Sequence, residues 1–235
     1  MFPLRDINPS RRAPLMTLIL IALNVAVFLL EISLPPEKLA AAMNIYGIVP
    51  ARYFDAAPAA GPAHLLPLPL LTSMFLHAGW IHLISNLWIL WIFGDNVEDR
   101  LGHLRFLMFY LGSGVVAGLV HLFTHAGSSL PTIGASGAIA GVMGAYLLLF
   151  PRARVLAVIP IIIVPFFLEV PAVVFMGFWF IGQFLSGLMS LGGTGGGIAW
   201  WAHVGGFVAG LLLCPVFLER RRSGSSRRGW DRGVR

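Results

Sequence analysis

The sequence predicts an all-α membrane protein: a bundle of six transmembrane helices with a short central fourth helix. Three observations predict this class. Hydrophobic residues make up 57% of the chain and charged residues only 11%, against about 25% charged residues in soluble domains. The apolar residues are gathered into long runs, and arginines cluster near both ends. Lipid is therefore the expected solvent, and 235 residues suit a single domain.

Six apolar runs define the predicted helices, at residues 14–34, 80–93, 104–125, 136–150, 171–191 and 199–218. The first run follows three arginines, as in a signal peptide, but it stays apolar for about 20 residues and lacks a small-residue cleavage site, so we expect a retained helix. The proline-rich loop 35–71 ends in the apolar stretch 64–71, which is expected to lie in the membrane interface. The apolar segment 154–170 contains two prolines and predicts a connector or a re-entrant piece, and a glycine-rich link covers 192–197.

Charge predicts the orientation of the bundle. The net charge is +6, and the segment 219–235 holds seven arginines against two acids. Because positive residues favour the inner side, both termini are expected in the cytoplasm of a bacterial-type plasma membrane. The predicted organisation is a cytoplasmic N-terminus at 1–13, a membrane domain at 14–218 and a basic tail at 219–235. The tail is expected to contact anionic lipids, and no nucleic-acid partner is expected, because aromatic residues do not alternate with the basic ones.

The fourth helix is too short to cross a bilayer. Residues 136–150 would extend about 22 Å at the usual rise of ~1.5 Å per residue, whereas the hydrocarbon core is about 30 Å thick. Its Ser136 end should therefore lie below the membrane surface, with irregular backbone leading into it. Such backbone is tolerated where protein or a water-filled cavity surrounds it, so the sequence predicts a cavity at this point.

Ser136 is the candidate nucleophile. It stands between Gly134 and Gly137 at the start of the fourth helix. The small neighbours allow close approach of a backbone, and the free N–H groups of a helix N-terminus suit a developing oxyanion. A serine that only caps the helix is the simpler interpretation of this motif taken alone.

His203 is the candidate base, because an ionisable residue within a membrane helix is costly and usually functional. Gly206 and Gly210 follow at i+3 and i+7, on the same helix face. The fourth helix carries a matching set of small residues, so the two helices are expected to pack closely and bring His203 to Ser136. A histidine that only packs between helices is the alternative.

His82 and Asn86 lie one turn apart on the second predicted helix, and both side chains can donate hydrogen bonds to one oxyanion. A polar pair that bridges helices is the alternative.

A metal site is less favoured: His121 and His125 are spaced for zinc, but HExxH is absent and no carboxylate stands near them. The interpretation requires no cofactor and no metal. Interfacial solvation is the simple explanation for the three other histidines near helix ends: His64, His77 and His103.

These motifs together resemble the rhomboid family of intramembrane serine proteases. The matching pieces span about residues 15–218: Met74–His77 with His82 and Asn86, Val97–Gly102, Gly134–Gly137, and Ala202–Gly206 with Gly210. The resemblance implies a six-helix bundle in which Ser136 attacks a peptide carbonyl and His203 accepts its proton. It implies an oxyanion site formed by His82, Asn86 and the Ser136 amide. It also implies transmembrane protein substrates, with the long first loop embedded in the membrane and the fifth helix as a gate.

Two features depart from the family pattern. Leu68–Leu71 stands where the family often has a Trp-Arg pair, and Ala140 replaces an aromatic residue that in some members stacks on the catalytic histidine. The sequence does not reveal what orients His203, nor the substrate or the oligomeric state. Two other classes fit the sequence less well. An inactive relative that binds membrane clients would usually lack the serine or the histidine, and a transporter would carry midplane charges or paired broken helices.

Overall fold

The computed structural model describes residues 1–54, 67–161, 164–190 and 198–219. The chain is mostly helical, with a small sheet at one end of the bundle. The helices are α1 Leu15–Ser33, α2 Pro36–Tyr46, α3 Ala51–Phe54, α4 Pro69–Thr72, α5 Trp80–Leu101, α6 His103–Thr124, α7 Ser136–Leu149, α8 Ala172–Ser190 and α9 Trp200–Phe217, and the strands are β1 Phe2–Asp6, β2 Arg154–Ile161 and β3 Val164–Pro171.

Within the described residues, four helices have the length and hydropathy of membrane spans: α1, α6, α8 and α9. Helix α5 passes the same test only together with the short helical segment Pro69–Phe75 before it, from which it is bent by 96°. Helix α7 has 14 residues and is shorter than a span. Each of the six predicted helices therefore exists, within two residues of its predicted ends except at the end of α5.

The short helix α7 forms the centre of the bundle. Ten consecutive residues, Gly137–Tyr146, are buried, and α5, α6, α8 and α9 all pack against it. Because neighbouring helices cover every face, α7 is uniformly apolar or small, as expected for a helix that is buried all round.

Glycines allow α7 and α9 to approach at backbone distance. A Cβ on Gly206 would lie 2.0 Å from the Gly137 carbonyl oxygen, and one on Gly210 would lie 2.0 Å from the Gly141 carbonyl oxygen. No side chain fits in these gaps, so the small residues are required by the contact itself. The contact aligns the start of α7 with the first turn of α9.

Helix α5 continues eight residues beyond its predicted end, because tertiary contacts satisfy its charged last turns. The buried carboxylate of Glu98 accepts hydrogen bonds from the backbone N–H groups of Met16 and Thr17, both at 2.8 Å, and from the Thr17 hydroxyl at 2.7 Å. These are the unsatisfied donors at the N-terminus of α1. The predicted helix ends at residue 93, before the charged residues of this stretch. Charged side chains are costly in lipid unless they have such partners.

The segment 154–170 was expected to be a connector or a re-entrant piece, and its described residues form a connector between α7 and α8 whose strands were not predicted. Strands β2 and β3 form an antiparallel hairpin, and β1 from the N-terminus pairs with β2, giving the order β1-β2-β3. Pairing satisfies the backbone groups of a segment whose prolines exclude a helix. The all-α prediction therefore applies to the bundle but not to this end of the molecule.

The N-terminal strand is attached to the bundle by side chains as well as by the sheet. The Trp88 indole N–H donates to the Pro3 carbonyl at 2.7 Å. The Asp6 carboxylate accepts from the Tyr146 hydroxyl at 2.7 Å and from the Asn96 amide at 2.8 Å. Residues 1–13 therefore pack on the helices and are not a free extension.

The two ends of the bundle meet on the side of the sheet, where Arg12 and Glu219 form an ion pair at 3.0 Å. On the opposite side, the first loop contains α2, α3 and α4, and the Thr72 hydroxyl donates to the Tyr46 carbonyl at 2.7 Å. This contact anchors the loop although the Trp-Arg pair is missing. Residues 64–66, the glycine-rich link 192–197 and the tail 220–235 lie outside the described residues.

Candidate active site

Ser136 is the first residue of α7, and the loop before it is held on two sides. Thr132 forms an isolated antiparallel bridge with Ile48 of the first loop. The Gly134 N–H donates to the Ser73 carbonyl at 2.8 Å. Gly134 has φ +124°, and a Cβ there would lie 2.7 Å from the His82 ring, so both the backbone and the space require glycine. The loop delivers Ser136 to the bundle interior with the N–H groups of the first turn free of intrahelical partners.

His203 lies in the first turn of α9, next to Ser136. The distance between His203 Nε2 and Ser136 Oγ is 2.8 Å. The glycine contact between Gly206 and Gly137, one turn deeper, brings the two side chains together. The geometry matches a hydroxyl that donates to a neutral imidazole, as nucleophile and base require.

The other ring nitrogen of His203 has a partner that the sequence reading missed. His203 Nδ1 lies 2.6 Å from Gln183 Oε1 on α8. The rings of Trp179 and Trp200 flank the imidazole, with centroids 6.0 and 6.3 Å away. An amide in an otherwise apolar membrane helix was the available signal for Gln183. Its partner was not readable, because the two residues lie on different helices.

His82 and Asn86 face the loop that carries Ser136. The Ala78 N–H donates to His82 Nδ1 at 3.4 Å, which leaves the ring proton on Nε2, the nitrogen beside Gly134. Asn86 Nδ2 is buried and has no hydrogen-bond partner among the described residues. It would lie 3.8 Å from a Cβ on Gly134. Two donors are thus available near the nucleophile.

These side chains line one cavity of about 960 Å³. Its polar residues are His82, Ser85, Asn86, Thr132, Ser136 and His203. The rest of its wall is mainly apolar and includes Ile89, Ile139, Met143 and Trp179. The volume and the apolar wall with a few convergent polar groups are typical of a ligand or active site. The four predicted side chains therefore share one cavity.

The four other described histidines contact residues outside the Ser136–His203 pair. His77 was expected at a solvated helix end, but it is 1% exposed. Its backbone N–H donates to the Glu31 carboxylate at 3.2 Å, and its ring, whose nitrogens have no hydrogen-bond partner among the described residues, lies edge-on to His82. His103 pairs with Glu98. His121 and His125 stack with centroids 4.5 Å apart, and His121 Nε2 lies 2.7 Å from the Thr132 hydroxyl. His121 thus supports the Ser136 loop. His64 lies outside the described residues.

The fold defines a polytopic integral membrane protein whose helical bundle contains a mainly apolar cavity with a few polar side chains. The chain belongs to the rhomboid family, whose domain model, described as Rhomboid domain, matches residues 67–220. The family expectation drawn from the motifs is therefore confirmed, although the match begins after the first helix rather than near residue 15.

Curated relatives carry the same family name. The human presenilin-associated rhomboid-like protein, mitochondrial, is 30% identical over 168 residues, which cover 68% of this chain and 40% of that protein. YdcA of Bacillus subtilis (strain 168) is 40% identical over 78 residues, covering 33% of this chain and 39% of YdcA. Rhomboid protein 1, mitochondrial, of Saccharomyces cerevisiae is 30% identical over 156 residues, covering 62% and 40%. The alignments span about 40% of the length of these relatives.

Proposed function

We propose that this chain is an intramembrane serine endopeptidase that cleaves transmembrane proteins at or near their membrane segments through a Ser–His dyad. The observation that carries the proposal is the 2.8 Å contact between Ser136 Oγ and His203 Nε2 within a cavity that His82 and Asn86 also line. Membership of the rhomboid family supports the same reaction class.

The first half of the reaction transfers an acyl group to Ser136. The Ser136 oxygen attacks the peptide carbonyl carbon while its proton moves to His203 Nε2. The carbonyl oxygen becomes an oxyanion, which accepts hydrogen bonds from His82 Nε2–H, the Asn86 amide and the Ser136 backbone N–H. The C–N bond then breaks, and His203 returns the proton to the leaving amine.

The second half hydrolyses the acyl-enzyme. A cavity water gives a proton to His203 Nε2 and adds through its oxygen to the acyl carbon. The bond to Ser136 Oγ breaks, and the proton on His203 restores the serine hydroxyl. Each proton that His203 accepts is returned, so the cycle balances without a metal or an organic cofactor.

The substrate is a membrane segment that reaches the cavity from lipid. The apolar wall around Ile139, Met143 and Trp179 can solvate apolar side chains, whereas an extended backbone leaves peptide groups that need polar partners. The polar residues of the same cavity meet that need at the scissile bond. A substrate helix must therefore unwind locally before it is cut.

The experiment is to replace Ser136 and measure both cleavage and active-site labelling. Ser136→Ala and His203→Ala in lipid vesicles should lose cleavage of a transmembrane substrate by more than about 10³-fold. A fluorophosphonate should label wild type at Ser136 but not the Ser136 variant. Ser129→Ala, in an exposed loop, is the control and should behave as wild type.

Two results would contradict the proposal. Wild-type cleavage by Ser136→Ala would remove Ser136 as the nucleophile. A wild-type protein that is folded but neither cleaves nor reacts with the fluorophosphonate would instead favour an inactive relative that binds membrane clients.

We also propose six membrane crossings for residues 14–218, with both termini in the cytoplasm of a bacterial-type plasma membrane. The Arg12–Glu219 pair supports an even number of crossings, because it joins the two ends of the bundle. After Cys214→Ala removes the sole cysteine, an impermeant maleimide should label Ser129→Cys in intact cells and Arg11→Cys only after permeabilisation. The opposite pattern would reverse the orientation.

A further inference from the structure

Helix α8 carries one amide side chain, and it is aimed at the candidate base. Gln183 Oε1 lies 2.6 Å from His203 Nδ1. The other residues of α8 are apolar or glycine except for Ser186 and Ser190. An amide in such a helix is costly in lipid unless it has a partner, and His203 is the partner that the described residues provide for Oε1.

We infer that Gln183 is a positioning residue that holds His203 in the tautomer and orientation needed to deprotonate Ser136. The inference rests on the proposed function, since it assigns a third residue to the same dyad. Gln183 does not line the described cavity, so its effect is exerted through the imidazole.

The tautomer follows from the two hydrogen bonds of the ring. Nε2 can accept the Ser136 proton only when it carries no hydrogen, so the ring proton of neutral His203 must lie on Nδ1. Nδ1–H needs an acceptor, and Oε1 is the acceptor end of the Gln183 side chain. With the opposite tautomer, Nε2–H would face the serine and could not act as a base. Gln183 thus favours the base-competent form.

Packing between α8 and α9 fixes the position of Gln183 relative to His203 along the helix axis. Trp179, Gln183 and Gly187 follow at i, i+4 and i+8 and form one face of α8. The Trp201 indole N–H donates to the Gly187 carbonyl at 3.0 Å, and a Cβ on Gly187 would lie 3.2 Å from the Trp201 ring. One turn of α8 separates this contact from Gln183, so the Gly187 contact sets where the amide meets His203.

The orientation of the His203 ring therefore depends on how α8 packs against α9. Only four residues of α8 are buried: Ala172, Phe175, Met176 and Gly187. The C-terminal half of α8, which contains Gln183, is therefore held to α9 mainly by aromatic contacts and two hydrogen bonds. Displacement of α8 would remove the Nδ1 acceptor and leave the Ser136–His203 pair without its orienting partner.

The test compares Gln183→Leu, Gln183→Glu and the control Gly182→Ala in lipid vesicles. Leucine removes the acceptor and suits lipid, so kcat should fall about 10- to 100-fold, as when a histidine loses the group that orients it, with KM unchanged. Glutamate keeps an acceptor, so it should retain activity. Its carboxylate favours the protonated imidazole, so the acidic limb of its kcat/KM profile should move to higher pH. A Cβ on Gly182 meets nothing within 4 Å, so Gly182→Ala should leave kcat and the pH profile unchanged.

A spectroscopic measurement separates positioning from a merely structural role. The ¹⁵N chemical shifts of the His203 ring should report a proton on Nδ1 in wild type and a mixture of tautomers in Gln183→Leu. Wild-type kcat together with wild-type shifts in the leucine variant would overturn the inference. If the leucine variant does not fold, the glutamate variant decides: a shifted acidic limb supports the inference, and an unshifted one overturns it.

These outcomes are distinct from failure of the proposed function. If Ser136→Ala retains cleavage, or if wild type is inert, the dyad itself is wrong. If wild type is active and Ser136→Ala is not, the dyad stands, and only the Gln183 variants decide the inference.

Discussion

At the scale of single residues, Asn86 is unusual because its amide nitrogen is buried without a partner. Asn86 is 6% exposed, and Nδ2 makes no hydrogen bond among the described residues. A buried unpaired donor costs about 1–3 kcal/mol of folding free energy. Under the proposed mechanism the Asn86 donor gains a hydrogen-bond partner only when an oxyanion forms. The unpaired donor therefore destabilises the resting protein, whereas its hydrogen bond stabilises the transition state.

Asn86→Ala should therefore separate activity from stability. We expect kcat to fall about 10²- to 10³-fold, the usual loss on removing one oxyanion donor. The free energy of unfolding should not fall, because no hydrogen bond of the resting protein is broken and the cost of the buried unpaired donor is removed. Cleavage kinetics and thermal unfolding of the same sample check both. Asn44→Ala, which removes an amide bonded within α2, is the control, and a variant with unchanged kcat would contradict the oxyanion role.

At the scale of elements, the pairing of α7 with α9 sets the distance between the serine and the histidine. The two helices approach through Gly137 and Gly141 on α7 and Gly206 and Gly210 on α9, and a Cβ on either α9 glycine would lie 2.0 Å from a carbonyl oxygen of α7. The contact has no side chain that could move aside, so any added atom must separate the helices. Ser136 and His203 lie at the end of this contact and depend on it.

Gly206→Ala should reduce both stability and activity. Overpacking of this kind costs about 1–3 kcal/mol or more, and a displacement of about 1 Å at a reacting pair can cost ~10²-fold in rate. The check is thermal unfolding together with kcat. Gly177→Ala on α8 is the matched control, because a Cβ there meets nothing within 4 Å. Equal behaviour of the two variants would mean that close α7–α9 contact is not required.

At the scale of the whole molecule, the N-terminal strand joins parts of the chain that are far apart in sequence. Strand β1 pairs with β2, and Asp6 contacts α5 through Asn96 and α7 through Tyr146. Burial raises the pKa of the Asp6 carboxyl from 3.8 to about 6; the nearby Asp95 adds to the rise, and the Tyr146 hydrogen bond opposes it. This group lies at the sheet end of the bundle, outside the spans.

The contribution of Asp6 to stability decreases as the pH rises. Between pH 3.8 and about 6 the folded protein holds the Asp6 proton more tightly than the unfolded chain does. The stabilisation from this group is therefore fully present below the lower value and is lost as the pH rises through about 6. Its size is about 1–3 kcal/mol, since one pKa unit corresponds to ~1.4 kcal/mol.

Asp6→Asn should remove this contribution to the pH dependence. The amide keeps an oxygen acceptor and carries no charge, so relative to wild type the variant should gain stability between pH 4 and pH 7. Unfolding free energies measured in detergent across that range check the difference. Glu169→Gln, at an exposed carboxylate on β3, should keep the wild-type slope. Parallel curves for Asp6→Asn and wild type would contradict the assignment to Asp6.

Much of the fold could be predicted because the signals are local. Hydropathy runs define the six helices, since lipid requires contiguous apolar residues. The glycine spacing on α9 and α7 predicted a close contact, and the structure has these glycines at backbone distance. For the candidate site, Ser136, His203, His82 and Asn86 were readable because polar groups within apolar helices are rare. Their catalytic roles remain predictions.

The sequence by itself determined the membrane class, the helices and the side chains that can do chemistry, because each depends on residues close together along the chain. Only the tertiary structure decided which distant groups meet. It brings Gln183 to His203, the Glu98 carboxylate to the start of α1, and the N-terminal strand to the hairpin at 154–171. The physical reason is that a hydrogen bond between two elements depends on how the elements pack, and no local periodicity encodes that partner.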